Sequence, residues 1–281
     1  MSTTIDLSDS AAILVYGMEE QKRISALSER ILSYLKVQEK NDISIHLHTA
    51  VEYLQDMSGI RASHSSATRT PGKSLREKYR EAEKNVEHIT LLLQQRQIQL
   101  MKDGAMYEQL YHMNDAYYHD LMGKIDEAKK VLMQFEQTTL PVLEKHAPNA
   151  GRVQDAQIVA DRKGQLEQLS KRISRLELSG SIALQSAPLL KQLQANQIAM
   201  AEKIQSILFY HIPLWKDQLF IALRKEHSKL WSKENATDTA SLANTNQLLL
   251  ESLDAVATAQ EQELLFKYNV QQELTKQLQI I

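Results

Sequence analysis

The sequence predicts an all-α protein, an elongated antiparallel helical bundle with coiled-coil-like packing. Three observations carry this. Only 8 Gly and 5 Pro punctuate 281 residues, whereas sandwiches, barrels and doubly wound folds need many more turns. Good helix formers (Gln, Leu, Ala, Glu and Lys) dominate the composition. Apolar residues recur over long stretches at alternating steps of three and four, the signature of one buried helix face. Hydrophobic residues at 43% and charged residues at 24% allow a folded core.

Taken in order, residues 1–17 read as a loosely attached tail with a short apolar patch. A helix is expected from Met18 to about Lys40, with Ile24, Leu27, Ile31 and Tyr34 on one face. Asn41 and Asp42 make a break and cap. A second short helix then carries Leu47, Val51 and Leu54. Residues 58–73, rich in Ser, Thr, Gly and Pro without apolar periodicity, form a linker. The expected organisation is therefore a tail and helical hairpin over 1–57, a linker over 58–73 and a long-helix body over 74–281.

That body opens at Ser74 as a cap. Its first seam is Leu75, Tyr79, Ala82, Val86, Ile89, Leu93 and Leu100, interrupted at Lys102-Asp103-Gly104. The seam resumes at Tyr107 and continues through Leu110, Tyr117, Leu121, Ile125, Ala128, Leu132 and Phe135, which makes one long helix or two nearly collinear ones. Pro141 and the segment 147–151 end this arm. The next trace runs from Leu166 to Tyr210, with a kink expected near Gly180 and Pro188. His211-Ile212-Pro213 reads as a sharp break, with Pro213 in the first turn of another helix. The last helical stretch spans about 214–278, broken near 235–239.

The chemistry the composition leaves open is narrow. No Cys is present, which excludes disulfides, thiolate nucleophiles and Cys-based metal or cluster sites and fits a reducing compartment. A net charge of −2 gives no general drive toward nucleic acid or anionic membrane. The first residues lack the basic start of a signal peptide. The apolar run Ala11 to Val15 is too short to cross a bilayer, so any membrane contact is expected to be peripheral.

Several motifs stand beside plainer readings. Thr70 to Ser74 ends like a phosphate-binding loop, but Ala67 stands where that loop needs Gly and no buried strand precedes it. His112, Asp115 and His119 fall at i, i+3 and i+7 on one helix face. They could hold a metal ion, though neighbouring Tyr111, Tyr117 and Tyr118 suggest packing. Lys73/Arg76/Lys78/Arg80, Lys171/Arg172/Arg175 and Arg224/Lys225/Lys229/Lys233 form basic groups, read first as solvated helix faces and second as anion sites. Phe209, Tyr210, Trp215 and Phe220 cluster around Pro213, either as a packed helix corner or as an exposed recognition corner.

Residues 166–226 around this corner resemble the TelA-like toxic anion resistance proteins. The likeness rests on Leu176 to Ser179, Gln185 to Pro188, Ile212 to Lys216 and Thr245 to Leu249. Residues 78–93 and 110–121 look like that family's long arm. The sequence departs from the pattern at Ser252-Leu253, where Asn-Ala is expected, and at Leu264 to Phe266. It also ends without the family's additional C-terminal helical tail. The resemblance implies a cytoplasmic bacterial protein linked to tellurite and other toxic-anion resistance, in stress-response neighbourhoods with calcium-binding TerD-like partners. It carries over no catalytic residue.

The expectation is a non-catalytic helical scaffold without a cofactor. Its candidate partner contacts are Ile212, Pro213, Leu214, Trp215, Lys216, Thr245 and Asn246. Direct sequestration of an oxyanion or metal, and a generic coiled-coil adaptor, remain the alternatives. Enzymatic reduction is disfavoured, because neither Cys nor a flavin or nicotinamide fingerprint is present.

Overall fold

The structure, a computed structural model, describes residues 5, 7, 9–38, 47, 54, 75–146, 153–227 and 235–279. Among these, regular secondary structure is entirely helical. Helix α1 (Ser10–Val15) is capped by the Asp9 side chain, which accepts from the Ala11 N–H at 2.8 Å. Helices α2 (Met18–Gln38), α3 (Leu75–Gln134), α4 (Leu140–His146) and α5 (Val153–Ser206) follow. Helices α6 (Ile212–His227) and α7 (Asn235–Leu278) complete the order. The expected linker 58–73 and the break at Asn41-Asp42 lie outside the described residues. Of the expected second helix, Leu47 and Leu54 are helical and buried.

Two π-helical turns join consecutive helices, and each has the same cause. Phe135–Thr139 links α3 to α4, and Ile207–His211 links α5 to α6. Each lies just before a proline, Pro141 or Pro213. A proline in an α-helix has no N–H for the carbonyl four residues back, and its ring collides with that carbonyl. The wider turn removes the collision. The Leu140 N–H bonds to Phe135 and the Ile212 N–H to Ile207, five residues back in both cases. The expected sharp break at His211-Ile212-Pro213 is therefore a change of helical pitch, and Pro141 continues its arm instead of ending it.

Of the two forms expected for the first arm, one long helix or two nearly collinear ones, the structure has the first: α3 runs through Lys102-Asp103-Gly104 with Asp103 and Gly104 buried. Gly180 and Pro188 both lie inside α5. Pro188 and Leu184, the carbonyl owner it cannot bond, both lie on the exposed side, where water satisfies the acceptor.

The chain divides into two compact units. The first comprises Met1–Lys36, Glu108–Lys191 and Val270–Ile281; the second comprises Val37–Tyr107 and Gln192–Asn269. The first unit's core joins Ile13 and Ile24 to Leu121, Ile125, Leu169, Ile173 and Leu176. Within it α3 and α5 run in opposite directions, since Lys129 pairs with Glu177 at 2.6 Å while Asn114 Nδ2 donates to the Ala183 carbonyl at 2.7 Å.

The opening segment is held there more firmly than a loose tail. Ile5, Leu7 and Ile13 are buried. The Tyr16 hydroxyl lies 3.0 Å from the Lys124 carbonyl and 3.1 Å from the Glu127 carboxylate. Burial, then Glu127, pushes its pKa upward, so it stays a protonated donor. Arg172 belongs to this anchor and not to a solvated face. Its Nε donates to the Tyr16 carbonyl at 2.7 Å and its Nη1 to Gln21 Oε1 at 2.9 Å. Burial, then Arg175, lowers its pKa.

The second unit's core gathers Leu93, Leu100, Ile204, Ile207, Ile212, Trp215, Leu249, Leu253 and Val256. Helices α3 and α5 are again opposed here. Gly104 lies against Gln197, while Gln97 Nε2 reaches the Ala201 carbonyl at 3.5 Å.

The turn between α1 and α2 depends on one glycine. Gly17 has φ +64°, and a Cβ there would meet Leu176 Cδ1 at 2.8 Å. Gly17→Ala is therefore expected to destabilise the protein by about 1–2 kcal/mol from the left-handed backbone alone. The displaced Leu176 adds to that. Urea unfolding monitored by circular dichroism measures it, and an unchanged midpoint contradicts this anchoring of α1.

Candidate functional site

Two of the family-like segments, Ile212 to Lys216 and Thr245 to Leu249, meet at a buried node in the second unit. Helix α6 presents Ile212, Trp215 and Leu219, spaced three and four apart, to the core. Trp215 is fully buried, and its Nε1–H donates to Asn246 Oδ1 on α7 at 3.1 Å. Asn246 Nδ2 in turn donates to the Leu54 carbonyl at 3.0 Å. One amide side chain thus satisfies a buried indole donor and a buried backbone acceptor, joining three parts of the chain. Thr245 spends its hydroxyl on its own helix, with the Ser241 and Leu242 carbonyls at 3.2 and 3.1 Å. Lys216 pairs with Glu87 at 3.6 Å on the half-exposed flank.

The other side of the same helix is unusually apolar. Phe209 is 65% exposed, Tyr210 71%, Phe220 59%, Leu214 43% and Ile221 37%. Pro213 and Asp217 are exposed among them, and the Arg224 guanidinium lies over the Phe220 ring at 5.5 Å. Steps of three and four from Tyr210 through Leu214, Asp217 and Ile221 to Arg224 place these residues along one outward ridge. The aromatic cluster therefore divides. Trp215 is corner packing, and Phe209, Tyr210 and Phe220 are exposed on the outer side.

Composition alone misses a second feature, a buried polar layer. In α3 the seam reads Leu93, Arg96, Leu100, Asp103, Tyr107, again three and four apart, and all five are buried. Gln197 interrupts the α5 seam, and Gln260, Glu263 and Lys267 interrupt that of α7; all four are buried. Glu263 is the hub. Its carboxylate bonds to Gln197 and Lys267, with Arg96 Nη2 at 3.8 Å. Gln99 Nε2 donates to Asp103 at 2.7 Å. The sequence signal was present: polar residues at seam positions of three helices. Reading only apolar residues as seam passes over it.

The remaining candidates stay apart. His119 and Asp115 lie 3.6 Å apart and exposed, while the His112 ring meets Tyr111 edge-on. Among the described residues no group of three or more His, Asp or Glu converges as a metal site would require. Tyr117 and Tyr118 pack against the first unit's core. Of the basic groups at 73–80 and 224–233, the described Arg80 and Arg224 are exposed.

His211 Nδ1 and Ser252 Oγ are 2.7 Å apart, and Ser252 Oγ is also 2.7 Å from the Leu248 carbonyl. With either partner as donor, the contact ties α7 to the π-turn.

Comparison with known proteins agrees with the motif-level likeness. A family described as toxic anion resistance protein (TelA) matches residues 1–263. A TelA-like protein of Staphylococcus saprophyticus is 30% identical over 279 residues, covering 94% of this chain and 73% of the relative. One from Staphylococcus aureus strain MSSA476 is 30% identical over 275 residues, covering 94% and 72%. No solved structure matches.

The two interior features predict large losses on truncation. Trp215→Ala is expected to cost about 3–5 kcal/mol. Asn246→Ala, which removes the acceptor of the buried Trp215 indole N–H, is expected to cost about 1–3 kcal/mol. Glu263→Ala strands Arg96 and Lys267 in the interior and is expected to cost about 3–5 kcal/mol. Chemical denaturation of the three variants checks this. A loss under about 1 kcal/mol at Trp215 contradicts the buried node.

Proposed function

From the premise that the chain belongs to the TelA family of toxic anion resistance proteins, we propose that it contributes to resistance as a non-catalytic scaffold in the cytoplasm. The observation that carries the proposal is the ridge of Phe209, Tyr210, Leu214 and Phe220. A contiguous exposed apolar surface marks a place where another macromolecule docks. Among the described residues around it no cluster of His, Asp or Glu assembles. Its charged members are Asp217 and Arg224, and the latter rests on a ring. The buried cations elsewhere are engaged with the fold's own acceptors, Arg172 with Tyr16 and Gln21, Lys267 with Glu263. Among the described residues no helix is long and apolar enough to cross a membrane, which agrees with work at a protein surface. A TerD-like protein is the kind of partner the family likeness suggests.

The test separates this from the alternatives. Deleting the gene should raise sensitivity to tellurite, and the intact gene should restore resistance. Phe209→Ser/Phe220→Ser should fail to restore it while keeping wild-type helicity and unfolding midpoint. The purified protein should neither reduce tellurite nor consume a nicotinamide cofactor. Near-stoichiometric tellurite binding that weakens with salt would move the assignment to sequestration by exposed Lys and Arg. Turnover would overturn the non-enzyme assignment.

A further inference from the structure

We infer that the outward ridge of α6 docks against the same ridge of a second copy of this chain, antiparallel and about a two-fold axis near Phe220 and Ile221. The inference rests on the reading of this face as a docking surface and adds its occupant. The argument is charge placement within an apolar strip. Asp217 and Arg224 are both exposed and seven residues apart on one helix face, with Phe220 and Ile221 between them, 59% and 37% exposed. An antiparallel copy whose Phe220 lies opposite Ile221 places Asp217 opposite the copy's Arg224. Two-fold symmetry makes the second pair the mirror of the first. A single sequence thus supplies an apolar centre and both members of two flanking ion pairs. The Arg224 guanidinium already lies over the Phe220 ring at 5.5 Å, which holds its charge beside the apolar centre.

Other occupants fit less well. A membrane surface is attracted by clustered Lys and Arg on an amphipathic helix's polar edge, whereas the ridge's charges cancel and one is acidic. A small molecule needs a concave site, and this is a convex helix face. An unrelated protein has no reason to find Asp217 and Arg224 at mutually complementary spacing; a second copy meets that spacing by symmetry.

Sedimentation equilibrium of the full chain tests the inference, with circular dichroism as the check on folding. Wild type should dimerise in the range of about 1–100 µM expected for an interface of one helix pair. Asp217→Arg and Arg224→Asp should each weaken dimerisation by roughly tenfold or more, since each places like charges across the axis. The double variant Asp217→Arg/Arg224→Asp restores the pairing with reversed sign and should regain most of the wild-type affinity. All three changes are at exposed positions and should leave helicity unchanged. A wild type that stays monomeric to about 100 µM overturns the inference. So does a dimer indifferent to the single reversals, or a double variant as weak as either single. A monomeric wild type whose Phe209→Ser/Phe220→Ser variant still loses resistance would overturn the second copy and leave the docking face for a different partner. A dimer that responds to charge as described, with resistance unaffected by ridge changes, would support the second copy while removing the face's role in resistance.

Discussion

Everything in the described fold follows from the need to bury one narrow stripe on very long helices. A helix such as α3, Leu75–Gln134, cannot be held by propensity alone, because isolated helices in water are marginal and gain most of their stability from packing one face. The alternating steps of three and four keep that face in line, and nearly every described seam position is buried. This explains why local interruptions fail to interrupt. A glycine costs about 1 kcal/mol and a helix-interior proline about 3 kcal/mol, while each buried Leu or Ile contributes about 1.5–3 kcal/mol. Gly104 is overruled by its neighbours on both sides. Pro141 and Pro213 are accommodated by one wider turn apiece, and beyond Pro213 the stripe continues with Trp215 and Leu219.

The same stripe makes the buried polar layer meaningful. An apolar seam slides readily, since one leucine replaces another after a seven-residue shift. Glu263 cannot slide so cheaply, because a heptad away it would keep Lys267 of its own helix and lose Gln197 and Arg96, its buried partners on the other two. The layer contributes little net stability once desolvation is counted. What it supplies is a large penalty for wrong registers, the role best attested for polar residues in helical seams. A chain whose long seams are rich in Leu, Ile and Ala has particular need of such a marker.

How much of this was legible in the sequence depends on what the period reports. The fold class and the seams were legible because spacing directly encodes which residues share a face. Helix ends were less so, since a break is judged from local residues while its survival is decided by packing far along the chain; Pro141 and Pro213 are the cases in point. Arg172 was misplaced for a related reason. Its neighbours Lys171 and Arg175 do lie on the outside, and composition by runs assigned all three to one solvated face. Periodicity would have separated it, because Arg172 adjoins Ile173 on the buried side. The carbonyl of Tyr16 that receives its proton is more than a hundred residues away, and no local pattern announces it.

The stretch around Pro213 shows why a functional surface is harder to read than a core. Its aromatic residues point both ways: Trp215 inward to Asn246, and Phe209, Tyr210 and Phe220 outward. To a reading by composition they form one cluster, and corner packing and recognition look like alternatives. The structure shows a buried face and an exposed face on one stretch of helix. The π-turn at Ile207–His211 adds to the difficulty, since one extra residue in a turn shifts the phase of everything after it and defeats a constant period. That shift lets Ile207 and Trp215 share a core with residues of α7. The inward node fixes the helix rigidly, through the Trp215–Asn246 bond and its continuation to Leu54. A rigidly held helix can present an apolar ridge at little further entropic cost on docking. The ordering has been done by folding, and the buried tryptophan and the exposed phenylalanines therefore belong to one device.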